Sequence, residues 1–175
     1  MDFSTKNEAN MDMRRHVKEM LEEFLELGKQ TAKTPAGENL FNANKSPLLD
    51  NKRAESFHAF VAKCSFLTER ARPDTVTTVA FLCARVQKPT EEDWTKLIQL
   101  MKYLSGTRDA VLRLSALGAS HMKWFADASF AVHPDVKSHT GYTMTMGRGS
   151  IVSNSVKQKS PQRVNWYVEI QLQSL

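Results

Sequence analysis

The sequence predicts a fold of the α/β class, mixed α+β, in which helices come first and an antiparallel sheet follows. Up to Gly106, apolar residues recur every three or four positions, as on one face of a helix. After Gly106 the spacing shortens towards two, which is typical of half-buried strands. The chain has 175 residues, of which 41% are hydrophobic and 25% are charged. This is the composition of a globular protein, which excludes a fully disordered or collagen-like chain.

Four helices are predicted before Gly106. The first covers residues 11–28 and ends at Gly28, and residues 29–52 are predicted to form a linker or extended loop. The second runs from Ser56 to Ala71, where the following Pro73 ends it.

The third helix is predicted from Thr75 to about Val86, with Asp74 as its N-cap. Cys64 and Cys83 lie on the apolar faces of the second and third helices and are predicted to be core residues. The fourth helix follows Thr90, with Asp93 placed for a capping box, and ends at Gly106.

The second part of the chain is predicted to form strands. The Gly147–Gly149 segment is predicted to be the turn of a hairpin. The candidate strands are Val111–Leu114, Met122–Phe130, Tyr142–Met146, Ser150–Lys157 and, with strict alternation, Val164–Leu172.

Positive charge is concentrated late in the chain. Residues 136–168 contain no Asp or Glu, whereas the rest of the chain holds 19 basic and 19 acidic residues. A surface of one sign attracts polyanions such as nucleic acid, although it can also be a solvated face without a partner. The five cations of this stretch are Lys137, Arg148, Lys157, Lys159 and Arg163.

Asp127 is the candidate site residue, because it interrupts an apolar run beside Trp124 and Phe125. A carboxylate there is either paired, bound to a metal, or directed to solvent from an open sheet face. The chain has no Gly-rich phosphate loop, nucleophile elbow or HExxH motif, so no small-molecule substrate is expected. It also has no signal peptide and no apolar run of about 20 residues, so an intracellular protein without a membrane partner is expected.

Several segments resemble copia-type retrotransposon polyproteins. VKEMLEEF (residues 17–24) and TAKTPAGENL (residues 31–40) resemble the tail of their reverse transcriptase domain. Residues 69–109 resemble the segment that follows this domain. Residues 124–159, with DAS, an SxTG turn and a KQK ending, resemble the start of their ribonuclease H domain.

The resemblance implies four regions. Residues 1–52 would be the tail of the reverse transcriptase domain and residues 53–108 a helical connection region. Residues 109–160 would be a partial, truncated ribonuclease H-like domain. Residues 161–175 would be a divergent tail that a frameshift could have produced. One back-translation of Val168–Leu172, read in a shifted frame, resembles the family sequence at this point.

The resemblance also implies the site. The parent proteins copy RNA into DNA and cleave RNA–DNA hybrids with two Mg²⁺ ions held by four carboxylates. Asp127 matches the first carboxylate, but Tyr167 stands at the second position and the later positions fall beyond Leu175. The polymerase aspartates would lie upstream of this chain. A catalytically inactive chain without a cofactor is therefore expected.

Three alternatives remain open at this point. The chain could be a nucleic-acid-binding module that grips phosphates with Arg148, Lys157 and Lys159, a hydrolase with replacement ligands, or a translation product without a function. The family's sheet has a further strand beside the one that carries Asp127. We expect the alternating segment 164–172 to pair with that edge in its place.

Overall fold

The computed structural model describes residues 8–42, 46–117, 122–129, 132, 136–159 and 168–172, the last range by its backbone. The fold class is mixed α+β, as the sequence predicts. The chain divides into two compact units. One is helical and covers Met13–Ala110, and the other contains the sheets and combines Met1–Asp12 with Val111–Leu175.

The helical unit contains the four predicted helices with shifted ends. Two short 3₁₀ segments, Leu25–Leu27 and Pro73–Thr75, lie between them. The helices are α1 (Arg14–Glu23), α2 (Asn51–Arg70), α3 (Val76–Cys83) and α4 (Glu91–Gly106).

Apolar residues from all four helices form one core in this unit. Burial of each large side chain contributes about 1.5–3 kcal/mol to stability. Trp94 of α4 also ties the first 3₁₀ segment to the core, because its Nε1 donates a hydrogen bond to Glu26 over 2.8 Å. The most deeply buried side chains include Met20, Phe57, Val61, Leu67, Leu82, Leu97, Leu100, Met101 and Leu104.

The beginnings of α1 and α2 differ from the prediction. Met11 lies in a strand, so the first helix starts three residues later than expected. The second helix starts within the predicted linker, because Asp50 caps it by accepting a hydrogen bond from the Arg53 N–H over 2.8 Å. The region boundary that the resemblance implies, between residues 52 and 53, therefore falls in the first turn of α2.

Two further predictions for the helical unit are wrong. Asp74 does not cap α3: its carboxylate instead accepts hydrogen bonds from Arg72 and Tyr103. Cys83 is exposed, because α3 ends at this residue, whereas Cys64 is buried as predicted. The capping box of Thr90 and Asp93 and the end of α4 at Gly106 are confirmed.

The second unit contains two antiparallel sheets. A two-stranded sheet pairs β1 (Glu8–Met11) with β2 (Leu112–Ser115). The sequence did not predict β1, since four residues give too short a pattern and its partner lies about 100 residues away. The other sheet has the order β5-β4-β3-β6 and is formed by β3 (Met122–Ser129), β4 (His139–Thr145), β5 (Val152–Lys157) and β6 (Val168–Leu172).

The C-terminal strand β6 pairs with β3, as the sequence predicts. The pairing is antiparallel and places Ile170 opposite Trp124 and Val168 opposite Ala126. Apolar residues of β6 therefore stand opposite apolar residues of β3. The rest of the predicted strand, Val164–Tyr167, lies outside the described residues.

Candidate nucleic-acid interface

Asp127 lies near the end of β3 and its side chain is exposed. In the neighbouring strand β4, Gly141 stands opposite Asp127. Gly141 in turn stands opposite Ser155 of β5. The carboxylate is therefore directed to solvent, which is one of the alternatives that the sequence left open.

The two faces of this sheet differ in chemistry, because alternate residues of a strand point to opposite sides. On one face the rings of Trp124 and Tyr142 lie 6.0 Å apart, and the Asn154 amide donates to the Tyr142 hydroxyl over 3.1 Å. On the other face Thr143 Oγ1 and Ser153 Oγ share a hydrogen bond of 2.9 Å. Asp127 belongs to this second, hydroxyl-rich face, which explains how a carboxylate fits an apolar run.

His139 and Ser155 form a buried pair on the hydroxyl-rich face. The His139 Nε2 lies 2.5 Å from the Ser155 Oγ, and both residues are more than nine-tenths buried. No motif in the sequence predicts this pair. Alternation along β4 places His139, Gly141 and Thr143 on one face, and this much can be predicted from the sequence. The register between β4 and β5, which brings Ser155 close to His139, cannot be predicted from that alternation.

The described surroundings of Asp127 do not fit a pair of Mg²⁺ ions. Two such ions need several oxygen ligands, mostly carboxylates. Gly141 brings no side chain and Ser155 is engaged with His139. Within the ranges that the structure describes, no group of three His, Cys, Asp or Glu residues could hold a metal ion. Tyr167, at the second family position, lies outside the described residues.

Arg148 lies in the turn between β4 and β5, which confirms the predicted hairpin. The turn packs closely on β2: the Arg148 N–H donates to Ser115 Oγ and the Arg148 carbonyl accepts from the Ser115 N–H, each over 2.9 Å. Gly149 has a φ of +78°, and a side chain there would meet the Arg113 carbonyl oxygen. The backbone of the turn is therefore fixed while the Arg148 side chain is exposed.

Lys157 and Lys159 lie at the other end of the hairpin. Lys157 ends β5 opposite His139, and Lys159 follows two residues later; both are exposed. A strand of six residues spans about 20 Å, so the structure does not bring Arg148 together with the two lysines. Among the described residues, neither Arg148 nor Lys159 forms an ion pair with an acidic side chain.

The hairpin can therefore present cations at two ends of one rigid element, but Asp127 has no described partner for metal chemistry. No helix within the described residues is long and apolar enough to cross a membrane. Neither a protein-family model, nor a curated protein, nor a solved structure matches this chain.

Proposed function

We propose that the chain is part of a copia-type retrotransposon polyprotein, from the end of the reverse transcriptase domain into the ribonuclease H-like region, and that it binds nucleic acid without cutting it. The observation that carries the binding proposal is the β4–β5 hairpin. Residues 136–159 contain no acidic residue, and the hairpin exposes Arg148 at one end and Lys157 and Lys159 at the other.

A rigid hairpin with separated cations suits a phosphate backbone better than a single small anion. Phosphates repeat along a strand, so cations about 20 Å apart can contact the same strand at distant positions. An RNA–DNA hybrid is recognised mainly through its backbone and shape, which needs no base-specific contact. The expected binding is therefore strong at low salt and insensitive to sequence.

The chain is not expected to cleave the hybrid, because its residues do not match the carboxylates needed for two Mg²⁺ ions. Asp127 stands opposite Gly141, and Ser155, one strand further away on β5, is engaged with His139; Tyr167 occupies the second family position. Asp127, even together with Glu169 at the register position opposite Phe125, brings fewer carboxylates than two divalent cations on a phosphodiester need.

Fluorescence anisotropy with a labelled RNA–DNA hybrid tests the binding. Three phosphate contacts predict a slope of about −3 in a plot of log affinity against log salt. A variant with Arg148→Gln, Lys157→Gln and Lys159→Gln should bind at least tenfold more weakly at moderate salt. The matched control changes Lys33, Lys52 and Lys88 to Gln, which are exposed lysines of the helical unit. An equal loss in the control variant would contradict binding by the hairpin.

Cleavage is tested on the same hybrid with Mg²⁺ and with Mn²⁺, beside an Asp127→Asn variant. Neither protein should shorten the RNA strand. Cleavage by the original chain that is lost in the variant would show that Asp127 works with ligands of another kind, and the proposed inactivity would be wrong.

A further inference from the structure

The strand β5 forms an edge of the four-stranded sheet. Within the part of the chain that the structure describes, its neighbour in the sheet is β4 on one side, and no described strand lies on the other side. The side chains of Val152 and Val156 are 40% and 47% exposed on this strand. A sheet edge directs backbone N–H and C=O groups outwards, so another strand can pair with it.

The register with β4 shows which backbone groups of β5 are directed outwards. The Gln158 N–H donates to the Ser138 carbonyl over 2.9 Å, which continues the register between the two strands. Hydrogen-bonded and non-hydrogen-bonded pairs alternate along antiparallel strands, so the N–H and C=O groups of Ser153 and Ser155 are directed away from β4. The Ser155 N–H donates to the Oδ1 of the neighbouring Asn154 over 2.7 Å. A second strand would exchange this local contact for a ladder hydrogen bond.

The sequence of β5 is self-complementary, because residues 152–156 read VSNSV in both directions. Antiparallel pairing with β5 of a second copy, centred on Asn154, therefore places Val152 of each copy opposite Val156 of the other. The two Asn154 residues form a non-hydrogen-bonded pair, in which side chains lie closest to each other. Such an arrangement has two-fold symmetry, which is the commonest symmetry of soluble homo-oligomers.

The charges of β5 are compatible with this pairing. The strand contains no acidic residue, and its one cation, Lys157, lies three positions from Asn154. The two Lys157 side chains of a dimer therefore stand about 20 Å apart along the strands, each opposite Ile151 of the other copy. Because the paired region is short, the interface is of the small class, below about 1,200 Å² of buried surface, and a transient dimer is expected.

We propose that β5 pairs with β5 of a second copy, so that the chain forms a two-fold symmetric dimer with one continuous sheet. The face that carries Trp124 and Tyr142 then extends across both copies, with Val152 and Val156 near its centre. The inference does not depend on nucleic-acid binding, because it uses the backbone edge of β5 and not the cations of the hairpin.

Sedimentation velocity of the full chain from about 5 to 500 µM tests the dimer, since an interface below the standard size is expected to dissociate in the micromolar range. Val152→Glu and Val156→Lys, made separately, each place a charge opposite a valine of the other copy, and each should weaken the dimer about tenfold. Leu117→Lys is the matched control, because this residue is 71% exposed and lies outside β5. It should change the dissociation constant by less than about twofold.

The double variant Val152→Glu with Val156→Lys distinguishes this register from any other. Each new carboxylate faces the new ammonium group of the other copy, so the double variant should dimerise more tightly than either single variant. Within one chain the two positions are about 13 Å apart along β5, so they cannot compensate each other there.

Four results of these sedimentation experiments would overturn the proposal. They are a chain that stays monomeric at the highest concentration, single variants that dimerise like the original chain, no rescue in the double variant, and species larger than a dimer. The last result would indicate head-to-tail pairing of β5 with β6 of the next copy.

Cross-linking tests the centre of the pairing with a variant that keeps both valines. Asn154→Cys, in a chain with Cys83→Ser to remove the exposed thiol, places two cysteines opposite each other in the proposed dimer. The Cα atoms of such a pair lie about 4.5 Å apart, within the range that a disulfide spans. Oxidised glutathione should therefore link two copies of this variant, but not two copies of a Leu117→Cys control in the same background. Equal linking of both variants, or no linking through residue 154, would contradict the pairing.

Discussion

The hydroxyl of Tyr103 donates a hydrogen bond of 2.7 Å to the Oδ2 of Asp74, although the two residues are 29 positions apart. The same carboxylate accepts from Arg72 over 2.7 Å, and the Arg72 guanidinium also reaches Thr107 Oγ1 over 2.7 Å. Arg72 is buried, so this network links the segment before α3 to the end of α4 around an enclosed charge.

Asp74→Asn should destabilise the helical unit by roughly 1–3 kcal/mol, since it removes the counter-charge of the buried Arg72 guanidinium. Tyr103→Phe, which removes one hydrogen bond, should cost about 1 kcal/mol. Urea unfolding followed by circular dichroism at 222 nm measures both, because all described α-helices lie in this unit. Equal effects of the two substitutions would contradict a charge-based role for Asp74.

Protonation of Asp74 should contribute to a loss of stability of the helical unit at acidic pH. Burial raises the pKa of this carboxyl, but the hydrogen bonds from Arg72 and Tyr103 outweigh it and hold the pKa below its ordinary value of 3.8. The stabilisation is therefore complete above the unfolded-state pKa of about 3.9 and is lost as the pH falls through the folded-state pKa. Unfolding curves between pH 6 and pH 3 should show a smaller decline for Asp74→Asn than for the original chain. An equal decline in the free energy of unfolding for both proteins would rule out Asp74 as the source of the acid sensitivity.

Gly149→Ala should weaken the β4–β5 hairpin, by roughly 1–3 kcal/mol for strained backbone. Gly149 has a φ of +78°, which residues with a side chain rarely adopt, and an added Cβ would lie too close to the Arg113 carbonyl oxygen. Gly141→Ala is the matched control in the same hairpin, because the added carbon would find its nearest atom at an ordinary 3.8 Å. Amide hydrogen exchange should show lost protection in β4 and β5 for Gly149→Ala, and near-normal protection for Gly141→Ala. The opposite order would contradict the close packing of the turn on β2.

The β3–β6 pairing predicts slow amide exchange within Val168–Leu172. Ile170→Pro removes a backbone donor and should abolish this protection and reduce that of β3. Ile170→Val keeps the donor and the β-branched shape, so it should leave the protection in place. Fast exchange of this segment in the original chain would show that the pairing does not persist in solution.

The two thiols should differ in reactivity with a maleimide. Burial raises the pKa of Cys64 to about 12; partial burial also raises the pKa of Cys83, but the Cys83 side chain is exposed and a reagent can reach it. Because the thiolate is the reactive form, Cys83 should be labelled in the folded chain and Cys64 only after denaturation. Mass spectrometry counts the labels, and Cys83→Ser should leave the folded chain unlabelled. Two labels on the folded chain would contradict the burial of Cys64.

Local signals in the sequence predicted the two ends of α4 best. Thr90 Oγ1 accepts from the Asp93 N–H and Asp93 Oδ2 accepts from the Thr90 N–H, all within four residues of the chain. Such a box forms wherever the two side chains begin a helix, so the sequence suffices to predict it.

Features that depend on distant partners could not be predicted in the same way. Asp74 has the right type and position for an N-cap, but Arg72 and Tyr103 bind its carboxylate instead. At the candidate site, the apolar run of residues 122–130 predicted the strand of Asp127, while the contact of Arg148 with Ser115 depends on how the turn packs against β2. That packing is a tertiary property which no spacing in the sequence encodes.

The pairing of β1 with β2 has a consequence for the order of folding. Met11 stands opposite Leu112, so the pair closes a loop that contains the whole helical unit. Closing an unstructured loop of about 100 residues costs on the order of 4 kcal/mol in chain entropy, more than a four-residue ladder returns. The helical unit must therefore fold first and shorten the effective loop, and the N-terminal strand joins its partner as one of the last steps. A chain with a destabilised helical core would lose this small sheet as well, without any change in the residues that form it.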